Sequence, residues 1–178
     1  MKKTLIVNFY GGPGAGKSKI AARVFSELKE LGITCELITE YAKDVTWQKG
    51  FHVLGNQLYI FAKQQHRLWR VDGQVDVILT DAPLLHSVIY GQDQTSELFK
   101  HLVWEEYFKR PTFDIFLTRG NDYDSTGRSQ TKEEAQGVDR LILETVNNFN
   151  LITSSDFKGI PLIIKEITSN LTHLKISK

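Results

Sequence analysis

The sequence predicts an α/β fold of three layers, with helices on both faces of a mostly parallel sheet of roughly five strands. Three observations carry that expectation. Short apolar runs alternate with stretches of helical periodicity along the chain, the order that builds βαβ units with right-handed crossovers. The first of these runs, Thr4 to Tyr10, feeds directly into a glycine-rich bend and then a helix. The chain has 178 residues, 41% hydrophobic and 24% charged, the size and composition of one globular domain with a full core. Residues 1–178 therefore read as a single domain.

Taken in order, Leu5 to Tyr10 is the first strand. Lys17 to Leu31 is a helix whose buried stripe is Ile20, Val24, Leu28 and Leu31, and Gly32 ends it. Ile33 to Thr39 is the second strand, and it delivers Glu40, Tyr41 and Asp44 to the C-terminal edge of the sheet. Asp44 to Leu54 is partly helical. From Asn56 to Arg70 a helix is expected with Leu58, Phe61, Ala62, Gln65, Leu68 and Trp69 on one face. Gln57, Tyr59, Lys63, Gln64, His66, Arg67 and Arg70 lie on the other. Asp72-Gly73 turns the chain into Val75 to Thr80, a short apolar run of the kind found in central parallel strands. Ala82-Pro83 starts a helical segment, Leu84 to Tyr90. Ser96 to Phe108 is another helix, with Leu98, Leu102, Val103 and Tyr107 inward. Phe113 to Thr118 is the fourth strand. Gly120 to Gln130 is polar with no apolar periodicity and reads as a mobile loop, the core of a lid over residues 119–131. Thr131 with Glu134 forms a capping box for a helix to about Phe149. The continuous apolar run Ile160 to Lys165 reads as the fifth strand, and Ser169 to Leu174 as a polar tail.

The bend is Gly11-Gly12-Pro13-Gly14-Ala15-Gly16-Lys17-Ser18, which fits G-x-x-x-x-G-K-[ST] at every fixed position. Strand, glycine-rich loop and helix together make a P-loop. The glycines let backbone N–H groups close around phosphate oxygens at a helix N-terminus. Gly11, Gly12, Pro13, Gly14, Ala15 and Gly16 are thus expected to cradle the phosphates of ATP. Lys17 would reach the β- and γ-phosphates, and Ser18 would give its hydroxyl to Mg²⁺.

Other residues gain meaning from that loop. Asp81, closing the strand Val77-Ile78-Leu79-Thr80, is the candidate second carboxylate for Mg²⁺; alone, an Asp there would be a turn residue or cap. Glu40, after the second strand, is placed to accept a proton from an acceptor hydroxyl attacking the γ-phosphate. Arg119 and Arg128 flank the lid and could neutralise the charge built up during transfer. Tyr41, Trp47, Gln57 and Phe61 are a candidate set for an acceptor's base, by aromatic stacking and an amide hydrogen bond. For Phe61, core packing is the competing role. The basic face of Lys63, His66, Arg67 and Arg70 reads first as a solvated helix surface.

Composition sets outer limits. A net charge of +1 gives no global electrostatic case for nucleic acid or a membrane surface, so a polynucleotide acceptor is the less favoured one. A single cysteine, Cys35, suits a reducing cytoplasm and reads as a small buried hydrophobe. No signal-peptide pattern and no long apolar run is present, which points to the cytoplasm and away from membranes.

These blocks together resemble the small P-loop kinases of nucleosides and nucleotides, in particular ribosylnicotinamide-kinase-like and phage-encoded AAA-type ATPase/kinase proteins. The matching stretches are Gly11 to Ser18, Thr39-Glu40-Tyr41-Ala42-Lys43-Asp44, Thr80-Asp81-Ala82-Pro83-Leu84-Leu85, Gly127-Arg128, Glu133-Glu134-Ala135 and Val138-Asp139. Glu40 followed by Trp47 is similar to the deoxynucleoside kinase pattern, which implies Glu40 as base and Gln57 as reader of the nucleobase. Where those kinases carry Arg-Ser after the carboxylate of the third strand, this chain has Ala82-Pro83. The resemblance implies an ATP- and Mg²⁺-dependent kinase with a small base-bearing acceptor, in the host cytoplasm if phage-encoded, and a homodimer is compatible with it. Two other functions fit the same residues: a kinase acting on a modified base or end of DNA, and a nucleotide-switched regulator.

Overall fold

The structure, a computed structural model, describes residues 3–119 and 132–176. Five strands, β1 (Leu5–Tyr10), β2 (Cys35–Ile38), β3 (Val77–Thr80), β4 (Thr112–Thr118) and β5 (Leu151–Ser154), form one sheet in the order β2-β3-β1-β4-β5. Every pairing is parallel. The helices are α1 (Lys17–Glu30), α2 (Tyr41–Trp47), α3 (Phe51–Leu54), α4 (Gln57–Trp69), α5 (His86–Gly91), α6 (Glu97–Phe108), α7 (Lys132–Thr145) and α8 (Ile160–Ile176).

Because β1 lies in the middle with both faces covered, its six residues are all buried, and it reads as a continuous apolar run. Alternation still sorts its side chains. Leu5, Val7 and Phe9 join Ile20, Val24 and Leu28 of α1 and Ile163 and Ile167 of α8 in one core. Ile6 and Tyr10 face the other, with Phe61 and Leu68 of α4, Leu85, Val103 of α6 and Ile142 of α7. Each large side chain so buried stabilises the fold by about 1.5–3 kcal/mol. The β1–β2 connection runs over the first face and the later connections over the second, so the winding of the chain reverses once. In open parallel sheets ligands bind at the C-terminal edge beside such a reversal. One polar exception crosses the centre: Asn8 of β1 donates to Asp114 of β4 at 2.8 Å, and the Tyr107 hydroxyl donates to the same carboxylate. Cys35 is buried, as its surroundings in the sequence suggest.

Several expectations need correction. Leu31, expected to complete the buried stripe of α1, is the residue that caps the helix C-terminus and is 59% exposed, because the helix ends at Glu30 before that turn can face the core. The run from Ile160 to Lys165 is not a strand but the first turns of α8, which also takes in Ser169 to Leu174. Ile160, Ile163, Ile167 and Leu171 all turn into the core at helical spacing, and Pro161 sits in the first turn, where its missing N–H costs nothing. The fifth strand is Leu151–Ser154, an edge strand of alternating half-exposed and exposed residues. In α4 the buried stripe is Ile60, Phe61, Gln64 and Leu68, while Leu58 and Trp69 are exposed. In α6 the inward residues are Phe99 and Val103, with Leu98 and Leu102 exposed. The helix expected to reach Phe149 ends at Thr145.

Candidate active site

The C-terminal edge of the sheet gathers the chemistry. The P-loop follows β1, Glu40 follows β2, Asp81 follows β3 and Arg119 follows β4. Gly16 caps α1 at φ 83°, a left-handed conformation that only glycine adopts cheaply, and no side chain caps the first-turn amides. Gly12 is required for a different reason: a Cβ there would lie 2.5 Å from the Ala135 carbonyl and 2.7 Å from an Arg119 nitrogen.

That crowding comes from a brace between the loop and α7. The Gly12 N–H donates to Asp139 Oδ1 at 2.5 Å, and Arg119 Nε donates to Asp139 Oδ2 at 2.8 Å. Arg119 also donates through Nη1 to the Pro13 carbonyl at 2.5 Å and through Nη2 to Ala135 at 3.1 Å. In this structure Arg119 is therefore part of the loop's support.

Inside the loop, the Lys17 ammonium donates to the carbonyls of Gly11 at 2.7 Å and Gly12 at 3.2 Å. Burial lowers its pKa, and the nearby carboxylates of Glu40, Asp81 and Asp139 oppose that shift. Ser18 Oγ donates to Asp81 Oδ2 at 2.5 Å. Asp81 is 4% exposed, and its other oxygen, Oδ1, is buried without a hydrogen-bond partner. A hydroxyl and a carboxylate in contact, with one carboxylate oxygen unsatisfied, is a donor set that fits Mg²⁺. Among the described residues there is no group of three or more His, Cys, Asp or Glu able to hold a metal by itself. A magnesium ion here would complete its shell with phosphate oxygens and water, its usual habit.

Glu40 stands at the N-cap of α2, half-buried, and its carboxyl makes no hydrogen bond to a described residue. Atoms packed around the carboxyl raise its pKa; Lys17 pulls it down and Asp81 pushes it further up. Tyr41, the next residue, is held by its N–H on Gln64 Oε1 at 3.0 Å and by its hydroxyl 3.0 Å from that of Tyr59. Gln64, placed on the polar face by its sequence position, is instead 5% exposed and serves the first amide of α2. Arg67 caps this cluster, lying over the Tyr41 ring and pairing with Asp44.

The remaining expected residues are more scattered. Trp47 is 69% exposed at the end of α2. The Gln57 amide donates to the Leu54 carbonyl at 2.8 Å. Phe61 packs edge-on against Phe99 in the core, so the role the structure gives it is packing. Arg128 and most of the expected lid lie outside the described residues. Three residues to which the sequence gave no role stand beside the site: Asp139, present in the matching stretch Val138-Asp139, and His86 with Tyr90 on α5. His86 carries no signal beyond its place five residues after Asp81.

No helix among the described residues is long and apolar enough to cross a membrane. A family model described as an AAA domain matches residues 6–156, most of the chain. No curated protein matches the chain in sequence. Among solved structures, deoxyadenosine kinase from M. mycoides with bound dATP is similar in fold, with a TM-score of 0.58 and 20% identity over 94% of this chain and 100% of that one. An APS kinase from Mycobacterium tuberculosis is similar over 80% of this chain and 99% of its own, at 19% identity and a TM-score of 0.44. By the family match and by this architecture, the chain belongs to the AAA-domain family and has the α/β fold of the P-loop kinases.

Proposed function

We propose that the protein is an ATP- and Mg²⁺-dependent kinase that transfers the γ-phosphoryl group to a hydroxyl of a small, base-bearing acceptor, a nucleoside or nucleotide. The observation that carries this reading is Glu40. A carboxylate with a raised pKa, without a hydrogen bond to a described residue and within the field of Lys17 and Asp81, is what a proton acceptor beside a γ-phosphate requires.

The loop amides and Lys17 would hold the triphosphate. The acceptor oxygen would form its bond to the γ-phosphorus while its proton passes to Glu40, and the bond from that phosphorus to the β–γ bridging oxygen would break, leaving ADP. Ser18 and Asp81 would hold Mg²⁺, which supplies charge neutralisation of the phosphate oxygens when bound. Asp139 and Arg119 would keep the loop in shape for each turnover. Arg128 is proposed, from its sequence position, to bring positive charge to the transferring group. Tyr41, Trp47 and Gln57 are proposed, from the sequence pattern, to meet the acceptor's base.

Incubation with labelled ATP against a panel of nucleosides, nucleoside monophosphates and modified DNA tests this directly. A labelled small-molecule product is expected, and Lys17→Ala should abolish it with the fold intact. ATP turnover that survives Lys17→Ala would refute the assignment.

A further inference from the structure

One buried imidazole takes no part in the chemistry above. His86 opens α5 in the segment that leaves β3 beyond Asp81, and it is 8% exposed. Its Nε2 is buried and has no hydrogen-bond partner. Such a group is a standing cost to the fold, and it is tolerated where a ligand supplies the missing partner. The imidazole lies between two tyrosine rings, both edge-on, Tyr10 at 5.7 Å and Tyr90 at 5.6 Å between centroids. Tyr10 immediately precedes the P-loop, and its own hydroxyl is also buried and unpartnered.

The same space is shared with the phosphate-handling residues. The charge of Lys17 acts on His86, and those of Glu40 and Asp139 act on the Tyr90 hydroxyl. Although Tyr90 is 37% exposed as a residue, the atoms packed around its hydroxyl push that group's pKa above the ordinary range. Burial, reinforced by Lys17, drives the His86 pKa down to about 3, so the ring is neutral. A neutral imidazole does not attract an anion; it exchanges a hydrogen bond with an uncharged hydroxyl or amide-like edge. The segment after Asp81 adds no cation, running Ala82-Pro83-Leu84-Leu85. Of the cations beside Glu40 and Tyr41, Arg67 lies over the Tyr41 ring and is already paired with Asp44, and Lys43 acts on Glu40 itself.

We propose that His86 is an acceptor-binding residue: its Nε2, between Tyr10 and Tyr90, hydrogen-bonds an uncharged group of a nucleoside, so that the site prefers nucleosides to their monophosphates. The inference rests on the kinase reading and narrows its acceptor.

The test is calorimetric titration of wild type, His86→Phe and His86→Gln with the common ribo- and deoxyribonucleosides and their 5′-monophosphates, in Mg²⁺ and a non-hydrolysable ATP analogue. At least one nucleoside should bind wild type tenfold or more tighter than its monophosphate. His86→Phe should weaken that nucleoside by about tenfold. The affinity for the ATP analogue should stay unchanged, and His86→Gln should restore most of the loss. His86→Phe should melt no lower than wild type, because it removes an unpartnered polar atom while keeping a ring. If it does unfold, the ¹⁵N resonance of His86 in wild type decides, and no shift on adding nucleoside overturns the inference. Equal nucleoside affinity in wild type and His86→Phe, tighter binding of monophosphates, or no nucleoside binding at all would also overturn it. Any of these outcomes alongside Lys17-dependent transfer to another acceptor leaves the kinase reading standing. Absence of that transfer removes the kinase reading itself.

Discussion

Replacing Asp139 by Ala should loosen the P-loop from outside it. The carboxylate accepts from the Gly12 amide at 2.5 Å and from Arg119 Nε at 2.8 Å, and the Arg119 and Asp139 side chains are only 12% and 19% exposed. A hydrogen bond to a charged group is worth about 1.5–3 kcal/mol. Partial solvent screening places these two at the lower end, for a combined loss of about 3 kcal/mol. For a domain of this length that corresponds to a fall in melting temperature of roughly 6–12 °C, measurable by circular dichroism or calorimetry. The ligand would then have to order the loop, so ATP should bind about tenfold more weakly in the same preparation.

A second variant separates the brace from simple loss of packing. Removing Asp139 alone takes a carboxylate partner away from the partly buried Arg119 guanidinium, which costs more than replacing both residues of the pair by apolar ones. Arg119→Met combined with Asp139→Leu should therefore melt above Asp139→Ala. A melting temperature for Asp139→Ala within about 1 °C of wild type, or a double variant whose loss equals the sum of the single losses, would refute the reasoning.

Three further outcomes follow from groups at the sheet edge. Glu40→Gln should lower kcat by about 10²–10⁴ with little change in the KM for ATP. Because the folded pKa of Glu40 is raised from 4.5, its contribution to stability is present below that pH and lost as pH rises through the folded value. Glu40→Gln should then melt above wild type at pH 8 and not at pH 4, and equal melting curves at pH 8 would contradict the assignment. For His86 the sign is reversed: the folded pKa falls from 6.5 to about 3, so stability is full above 6.5 and declines as pH drops toward 3, by up to about 1.4 kcal/mol per pH unit. The stability difference between His86→Phe and wild type should widen in favour of the variant on acidification, and parallel pH profiles would count against a buried neutral imidazole. Chelation with EDTA should stop phosphoryl transfer reversibly, and Asp81→Asn should raise the Mg²⁺ concentration needed for half-maximal rate. An unchanged Mg²⁺ requirement in Asp81→Asn would remove that residue from the metal site.

What could be read from the chain alone divides along a physical line. β1, the P-loop and α1 are specified locally: an apolar run, glycines at fixed spacing, and a stripe of Ile20, Val24, Leu28 and Leu31 each point to one conformation, and the structure keeps all three elements, with only Leu31 of the stripe left exposed past the helix end. The misread elements are those in which two periodicities compete. Ile160-Pro161-Leu162-Ile163-Ile164 is apolar at every position and fits a buried strand as well as a buried helix; only the longer spacing through Ile167 and Leu171, with Pro161 near the start, separates them. Leu151–Ser154 gave no comparable signal because an edge strand of four residues buries little. In the site, the roles of the motif residues were visible, whereas those of Gln64 and His86 were not, and Asp139 stood in a stretch that carries the resemblance without its contact to the loop being legible. Each is a polar side chain whose position depends on a partner far along the sequence: Gln64 meets the amide of Tyr41, Asp139 meets Gly12, and His86 lies against Tyr10. Periodicity assigns such residues to the surface, since burial of a polar group becomes tolerable only through a contact that the local sequence does not contain. The site therefore has two layers: motif residues able to act on phosphates, and long-range polar residues that shape the loop and the space beside it. On the proposed reading, the first layer handles the phosphates and the choice of acceptor falls to the second, at His86.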